Sequence, residues 1–468
     1  MSFVKCHMLS LFNTKTKAKE KFKSLEEGVV KLYTCGPTVY NYAHLGNLRS
    51  YVFADVLKRT LTYTGYDVQH VTNVTDVGHL VSDGDEGEDK IEKAVGREGK
   101  SASEIANFYT KSFLQDLELL NIEKKSTTFP KATDYIPEQI QLIEKLEKKG
   151  HTYITSDGVY FDTSTFPTYG ALGGIDLEGL KEGARVATNT EKKNPTDFAL
   201  WKLSSKDSQR AQEWESPWGV GFPGWHIECS AMAMKILGEQ IDIHTGGIDH
   251  IPVHHNNEIA QSKSATGKEF ARFWLHNQFV NVSGGDKMAK SADNFLRLQT
   301  IIDRGIHPLA YRYFLLQAHY RSSIEFSWEA LEASRTALKR LAEHVQTLPE
   351  NGNVSETYKK QFEEKIADDL DTPGVLALIW TLLKDDSVQD ADKRSTIEIF
   401  DEVLGLSLSS LSFDADTDIP EEVQKLAEKR EEARKEKNWQ EADTLRDDIA
   451  KKGFIVKDTD SGFEMSTK

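Results

Sequence analysis

The stretch VVKLYTCGPTVYNYAHLGNLR, residues 29–49, decides the fold that the sequence predicts. Its first six residues, 29–34, are a short apolar run typical of a buried strand. Residues 49–64 place apolar side chains at helical spacing before Gly65, and glycine is common just after a helix. Residues 67–74 predict a second strand. A strand, a helix and a strand within about 45 residues form a βαβ unit, which predicts an α/β fold with a parallel sheet.

The composition excludes several classes of protein. A chain of 468 residues is too long for one core and suggests roughly three domains. A hydrophobic fraction of 38% with 10% aromatics excludes wholesale disorder. The net charge of −16 argues against a histone-like coat on nucleic acid or a membrane-surface protein, although a local basic groove stays possible. Three distant cysteines, with neither a signal peptide nor an apolar span, predict a soluble cytoplasmic protein without disulfides.

Six of the histidines lie close together along the chain, around Cys229, and suggest a metal site. On a helix, His254 and Glu258 would project from one face, and His255 with Glu258 could serve instead. Cys35 ends the first strand, at the edge where parallel sheets present ligand sites, and Cys229 could border the same crevice. Two thiolates, an imidazole and a carboxylate form a tetrahedral, zinc-type set. The alternative is that both cysteines are small core residues and the histidines a solvated helix surface.

The loop between the first strand and helix has features of a polyphosphate site. Gly36 admits the close approach of a ligand, His44 offers an imidazole, and Asn47 lies at a helix N-terminus whose N–H groups suit phosphate. Far downstream, Lys287 and Lys290 follow two glycines and could neutralise the charge of a departing pyrophosphate. Taken singly, an ordinary loop and a solvated surface stretch also explain the two segments.

In this order and on a βαβ framework, the two segments resemble the paired signatures of class I aminoacyl-tRNA synthetases, usually written HIGH and KMSKS. Here they read HLGN at 44–47 and KMAKS at 287–291. Asn47 replaces the last histidine but keeps a donor amide, and Ala289 replaces the middle serine but leaves both lysines.

Further segments narrow the resemblance to the cysteinyl-tRNA synthetase family. They are LYTCGPTVY (32–40), NVTD (73–76), PGWHIECSAM (223–232), HTGGID (244–249) and HHNNEIAQ (254–261). They run in the family's order and cover nearly the whole chain. One local variation is IPV at 251–253, where the family commonly has phenylalanine before its histidine pair.

The resemblance implies a Rossmann-like parallel-sheet catalytic domain with an inserted connective domain, followed by an all-α helical bundle and a small C-terminal anticodon-binding module. The implied limits are 1–118 and 220–300 for the split catalytic domain, 119–219 for the insertion, 301–326 for linking helices after the KMSKS-like loop, 327–410 for the bundle and 411–468 for the C-terminal module.

The resemblance also implies the activity: ATP-dependent ligation of L-cysteine to tRNA(Cys) through a cysteinyl-adenylate, with Mg²⁺ accompanying ATP, by a monomer that needs no membrane. One zinc ion held by Cys35, Cys229, His254 and Glu258 would select the substrate thiol, because zinc prefers thiolate to a serine hydroxyl. His255 would be adjacent but not a ligand.

The remaining roles implied by the resemblance concern ATP, cysteine and tRNA. His44, Asn47, Lys287 and Lys290 would be catalytic and contact the phosphates. Nucleotide binding would add Gly36, Gly246, Gly247 and Asp249, and the cysteine pocket would be walled by Thr75, Trp225 and His244. A tRNA-binding face would comprise Lys429, Arg430, Arg434, Lys435, Lys437 and Trp439, with a merely solvated helix pair as the alternative.

Two rival functions share parts of this pattern. The family's paralogue that ligates cysteine to an amino sugar in mycothiol synthesis would keep the zinc and adenylate chemistry but lack the terminal helices. A non-catalytic paralogue would bind tRNA or zinc as a regulator, and the presence of both lysines, His44 and all four implied ligands disfavours it.

Overall fold

Strands and helices alternate in the first part of the chain, and helices dominate the second. The computed structural model describes residues 8–78, 90–174, 190–205, 210–282, 286–287, 295–413, 421–436, 438–459 and 462–467. The strands are β1 (Ser10–Asn13), β2 (Ala18–Lys21), β3 (Val29–Thr34), β4 (Asp67–Thr72), β5 (Thr127–Thr128), β6 (Thr152–Thr155), β7 (Gly158–Phe161), β8 (Phe198–Leu203), β9 (Gly221–Pro223), β10 (Ile241–Gly247), β11 (Ala271–Asn277), β12 (Val280–Val282), β13 (Asp286–Lys287), β14 (Ile324–Phe326), β15 (Phe454–Thr459) and β16 (Gly462–Thr467).

The α-helices have the following bounds, and 3-10 turns connect some of them. They are α1 (Leu45–Tyr63), α2 (Lys90–Glu98), α3 (Ala102–Leu119), α4 (Ile136–Lys148), α5 (Trp225–Leu237), α6 (Asn256–Thr266), α7 (Leu298–Ile302), α8 (Pro308–Leu316), α9 (Trp328–Thr347), α10 (Glu356–Ala367), α11 (Thr372–Leu383), α12 (Asp390–Leu404), α13 (Glu421–Lys435) and α14 (Trp439–Lys451). In the described part of the chain, no helix combines the length and the apolar character needed to cross a membrane.

A five-stranded parallel sheet carries the fold, in the order β11, β10, β3, β4, β5. The predicted βαβ unit is confirmed, since β3 and β4 pair in parallel along their full length and α1 joins them. Every residue of β10 is buried, as expected for a strand covered on both faces. Because β3 and β10 are neighbours, the residues that follow Thr34 and Gly247 emerge side by side at the carboxyl edge of the sheet.

Two hydrophobic clusters cover the two faces of this sheet. One joins Leu32 and Ile243 of the sheet to Phe53 and Leu57 of α1. The other joins Tyr33 and Trp274 to residues of α5, and it includes Cys35 and Cys229. Both cysteines are therefore buried free thiols next to the carboxyl edge.

The connective region contains a separate antiparallel sheet in the order β6, β7, β8, β9. This second sheet is inserted between α4 and α5. It lies within the insertion predicted over 119–219, except for β9, which follows that range. The proposed domain limits themselves stay predictions.

The chain divides into two units. Met1–Leu298 with Pro308–Ser409 holds both sheets and α8–α12, and Gln299–His307 with Ser410–Lys468 holds the C-terminal elements. In the second unit, α13 and α14 pack with the hairpin β15–β16 around a small core of Val423, Ala427, Ile449 and Val456. The helical pair follows the prediction, whereas this hairpin and the N-terminal hairpin β1–β2 were not predicted.

Three local predictions need correction. The first helix begins at Leu45 instead of residue 49, because His44 caps it. The helix predicted over 254–263 is α-helical only from Asn256, since Ile251–His255 form a π-helical turn, a feature frequent at functional sites. Arg430 is 5% exposed, so it does not belong to the exposed face predicted for tRNA.

Candidate active site

Four buried side chains converge where β3 and β10 end: Cys35, His254, His255 and Glu258. Each offers a ligand atom, and these atoms all lie within 4.8 Å of one another. Glu258 Oε1 is 3.0 Å from His254 Nε2 and 4.0 Å from Cys35 Sγ. The π-helical turn and the first turn of α6 supply the two histidines and the glutamate, so the predicted i, i+4 relation does bring His254 to Glu258.

Cys229 lies on α5 beside this group. Cys35 and His254 both lower the pKa of its thiol. The structure therefore brings Cys35, His254 and Glu258 together, with Cys229 beside them but outside the group whose ligand atoms all lie within 4.8 Å of one another. It also places His255 in the same cluster, with Nε2 3.3 Å from Cys35 Sγ.

His254 is held with Nε2 facing Glu258. The other ring nitrogen, Nδ1, lies 2.9 Å from Nδ1 of His226, and the ring of Trp225 packs against His254 with centroids 4.4 Å apart. A partner on one imidazole nitrogen fixes which nitrogen meets a ligand. The contacts with His226 and Trp225 thus keep Nε2 of His254 directed toward Glu258.

His255 is held by a different set of partners. Its Nδ1 lies 2.7 Å from His276 Nε2, and His276 Nδ1 lies 2.7 Å from the Thr14 hydroxyl, just after β1. The sequence placed His276 in the histidine cluster but gave no signal for Thr14, which belongs to the unpredicted hairpin. His255 is thereby tied to the N-terminal hairpin as well as to Cys35.

The titratable groups of the site shift one another's pKa values. Burial alone would raise the pKa of Glu258, but His244 and His254 lower it to about 2, and His244 Nε2 lies 3.1 Å from Glu258 Oε2. Burial alone would lower the pKa of His254, but Glu258 and Cys229 raise it to about 10. The hydrogen bond with Cys35 lowers the pKa of Cys229 to about 7, whereas burial and Cys229 raise the pKa of the Cys35 thiol. The cluster can therefore hold charged side chains at a position that is buried from water.

The donor set fits zinc in kind and spacing. Tetrahedral zinc with nitrogen and sulfur at about 2.0–2.3 Å places neighbouring ligand atoms about 3.3–3.8 Å apart. The spacings among Cys35, His254, His255 and Glu258 include one of 3.3 Å, at the lower limit of that range, and others of 3.0 and 4.0 Å just outside it. Thiols, imidazole and carboxylate are the ligands that zinc takes in proteins.

The HLGN segment forms the N-terminal cap of α1. His44 Nδ1 accepts a hydrogen bond from the Asn47 backbone N–H at 3.1 Å, and Asn47 Oδ1 accepts one from the His44 backbone N–H at 3.3 Å. This reciprocal capping box explains how asparagine serves at position 47, because its short amide reaches back onto the cap. The helix end lies at the same edge of the sheet as Cys35.

Gly36 is required by the protein itself. A Cβ at this position would lie 1.5 Å from the backbone oxygen of Asn73, and the Gly36 N–H donates to Asn73 Oδ1 at 2.7 Å. The group that closely approaches Gly36 is therefore Asn73, just after β4. This contact requires glycine at position 36 whether or not a nucleotide binds there.

The end of β10 brings the predicted adenosine residues together. A Cβ on Gly246 would lie 2.6 Å from His250 Nδ1, and one on Gly247 would lie 2.3 Å from Asp249 Oδ1. Within the described residues, the buried Nδ1 atoms of His244 and His250 have no hydrogen-bond partner. Buried nitrogens without partners favour a polar ligand at this place.

The predicted cysteine pocket is linked to the candidate metal site. Thr75 accepts a hydrogen bond from Asn73 Nδ2 and donates one to Glu228 Oε2, each at 3.1 Å. His244 stacks on Trp274, with ring centroids 4.6 Å apart, while its Nε2 faces the cluster glutamate. Glu228 is fully buried and was not among the predicted site residues, although it lies in the quoted WHIEC segment.

The structure describes one of the two lysines of the KMSKS-like segment. Lys287 lies in β13, which pairs with β12 through Asn281 opposite Lys287. Lys290 lies outside the described residues. The chain is described again from Phe295, whose ring meets His44 edge-on at a centroid distance of 6.1 Å. The chain that follows the signature is thus close to the start of α1.

Comparison with known proteins agrees with this geometry. Residues 21–336 match the family described as "tRNA synthetases class I (C) catalytic domain", and residues 416–464 match "Cysteinyl-tRNA ligase anticodon binding domain". The chain is 48% identical to "Cysteine--tRNA ligase 1" of Burkholderia lata over 97% of this chain and 96% of that protein. It is 47% identical to "Cysteine--tRNA ligase" of Treponema denticola over 96% of this chain and 98% of that protein.

The chain belongs to the cysteine–tRNA ligase family of class I aminoacyl-tRNA synthetases. Solved structures show the same fold at low identity. Methionyl-tRNA synthetase of Mycobacterium tuberculosis aligns with a TM-score of 0.55 and 17% identity, over 81% of this chain and 90% of that chain. A leucyl-tRNA synthetase of Agrobacterium radiobacter aligns with a TM-score of 0.57 and 11% identity, over 84% and 86%. The predicted family membership, enzyme class and fold are confirmed.

Proposed function

We propose that this cysteine–tRNA ligase family member joins L-cysteine to tRNA(Cys) with ATP, through a cysteinyl-adenylate, and that zinc at the cluster selects the substrate thiol. The observation that carries the proposal is the convergence of the buried thiol, imidazole and carboxylate donors with the N-terminus of α1 at one edge of the sheet. The names of the curated relatives support the amino acid and the tRNA.

Cys35, Cys229, His254 and Glu258 would hold zinc, with His226 and His244 orienting His254 and Glu258. Zinc bound there supplies a soft acceptor that takes a thiolate in preference to a serine hydroxyl. A hydrophobic pocket alone separates such isosteres by only about a hundredfold. The buried nitrogen of His244, with Thr75 and Trp225, would wall the rest of the amino-acid pocket.

The residues around ATP would act by position and charge. The cysteine carboxylate attacks the α-phosphorus, an oxygen–phosphorus bond forms, and the bond to pyrophosphate breaks; a hydroxyl of the terminal tRNA adenosine then attacks the carbonyl and releases AMP. Since His44 Nδ1 caps α1, a phosphate contact would use Nε2, next to Asn47 and the helix N–H groups. Lys287 and Lys290 would neutralise the developing charge, and Gly36, Gly246, Gly247 and Asp249 would border the nucleotide with Mg²⁺.

The C-terminal unit would bind the anticodon. Trp439 is 59% exposed at the start of α14, which suits stacking on an unpaired base. Of the predicted basic face, Lys429 and Lys435 are exposed and Arg434 is half-buried beside Glu431, whereas Lys437 lies outside the described residues. The match of residues 416–464 to the anticodon-binding family disfavours the amino-sugar ligase, for which we expected no such module.

Charging of total tRNA with labelled cysteine or serine, together with ATP–pyrophosphate exchange, tests the proposal. We expect cysteine-dependent exchange and charging, and discrimination against serine well beyond about a hundredfold, the limit of a simple pocket. Comparable charging with serine contradicts zinc selection. Exchange without any charging contradicts the tRNA substrate and favours the amino-sugar ligase, and the absence of both favours a non-catalytic paralogue.

A further inference from the structure

Arg49 is a buried cation that binds backbone oxygens. It lies in the second turn of α1, two residues after Asn47, and is 2% exposed. Its Nη1 donates to the carbonyl of Phe279 at 2.6 Å, and its Nη2 donates to the carbonyl of Ser322 at 2.5 Å. Longer bonds of 3.3 and 3.4 Å run from Nη2 to the carbonyls of His319 and Tyr320. Burying a guanidinium is costly, so four carbonyls that solvate it form a built site.

These carbonyls precede two paired strands. Phe279 comes directly before β12, and residues 319–322 come just before β14. β12 pairs in parallel with β14 on one side and antiparallel with β13 on the other. Arg49 therefore fixes the start of β12 to α1. Lys287 lies on β13, which pairs with β12, so the strand beside Lys287 is held by Arg49.

The chain beyond the KMSKS-like segment returns to the same helix end. The Leu45 N–H, at the first position of α1, donates to the carbonyl of Leu296 at 2.8 Å. The guanidinium of Arg297 lies 4.2 Å from the centroid of the Tyr42 ring. The described backbone after the signature is therefore anchored on both sides of His44.

We infer that Arg49 is a positioning residue for the ATP-dependent step, holding β12, the strand with which Lys287 of β13 pairs, in place against the phosphate-binding end of α1. The inference rests on the proposed function. A planar guanidinium has two terminal nitrogens that can bind two segments at once, whereas a lysine ammonium is a single point of attachment. Arg49→Lys should therefore keep the charge but loosen one segment, and Arg49→Met should release both.

The test compares Arg49→Met and Arg49→Lys with a matched control, Arg312→Met, in the full chain. Arg312 is also fully buried and donates to the carbonyls of Leu404 and Leu120 at 2.7 and 2.9 Å, and within the described residues none of its hydrogen bonds goes to β12 or β14. For Arg49→Met we expect kcat of ATP–pyrophosphate exchange to fall between about tenfold and a hundredfold, with zinc content and the KM for cysteine within about twofold. Arg49→Lys should fall between wild type and Arg49→Met.

The control separates misplacement from loss of stability. Arg312→Met should lower the melting temperature at least as much while leaving kcat of exchange within about twofold at a temperature where it is folded. An unchanged kcat in the Arg49 variants, or an equal loss of kcat in Arg312→Met, overturns the inference. If Arg49→Met does not fold, the kcat of Arg49→Lys decides. Absence of exchange in the wild type overturns the proposed function, and this inference with it.

Discussion

His254 and His255 are chain neighbours with different surroundings. His254 contacts Glu258 and lowers the pKa of the Cys229 thiol, and its other nitrogen is occupied by His226. His255 contacts Cys35, but it is also tied through His276 to the N-terminal hairpin. The sequence left both histidines open as ligands at helical spacing, and only the resemblance chose between them.

We predict that His254→Ala loses zinc and that His255→Ala keeps it. Removal of a direct ligand leaves three donors, whereas removal of a supporting residue lowers metal affinity by about 10- to 100-fold. The measurement is bound zinc per chain after dialysis against a graded series of chelator concentrations, with no assay of activity. His255→Ala is the matched control, since it removes an equally buried imidazole from the same turn. Equal loss of zinc from both variants would show that His255 is itself a ligand.

Helix α1 joins the sheet to the helical part of its unit through a buried ion pair. Arg312 of α8 donates from Nη2 to Asp55 Oδ2 at 2.6 Å, and both side chains are completely buried. Arg59 donates to the same carboxylate at 2.7 Å, and the Glu123 N–H donates to Oδ1 at 3.0 Å. Burial alone would raise the pKa of Asp55, but Arg312 and Arg59 lower it, so the carboxylate stays charged.

Asp55→Ala is predicted to destabilise this unit strongly. It would leave the Arg312 charge buried without its carboxylate, which typically costs about 3–5 kcal/mol. The double variant Asp55→Ala, Arg312→Met should cost less than the sum of the two single substitutions, because both charges are then removed together. Thermal unfolding of the four proteins measures this. The control is Arg335→Met, which removes an exposed pair with Glu332 and should change the melting temperature little. Additive shifts in the double variant would contradict the coupling.

The elements that were predicted well are those with a strong local pattern. β3 has the predicted bounds because a short, largely apolar run suits an inner strand of a parallel sheet. The start of α1, the π-helical turn and the hairpin β1–β2 were missed or misplaced because side-chain caps and distant contacts set them, as the bond from Thr14 to His276 illustrates. Gly36 was singled out for a ligand, but the approach of Asn73 accounts for it. Arg49 carried no sequence signal, since its partners are backbone carbonyls about 230 and 270 residues away.

The division of the chain into two units separates two kinds of chemistry. The candidate metal site, the α1 cap and β13 all lie in one unit, and the helical pair with the C-terminal hairpin lies in the other. The net charge of −16 means that the protein as a whole repels nucleic acid, so local stacking and a few exposed lysines would have to provide tRNA contact. Substitutions in the C-terminal unit should thus affect tRNA charging without affecting amino-acid activation.

Trp439→Ala should therefore raise the KM for tRNA and leave ATP–pyrophosphate exchange unchanged. Stacking of a base on an aromatic ring is worth about 1–3 kcal/mol, which corresponds to a rise in KM of about 5- to 150-fold. Steady-state charging at varied tRNA concentration measures the change. Leu25→Ala is the control: Leu25 is also an exposed apolar side chain, 42% against 59%, but it precedes β3 at the amino edge of the sheet, away from the cluster. An unchanged KM for tRNA, or an equal effect of Leu25→Ala, would contradict base stacking on Trp439.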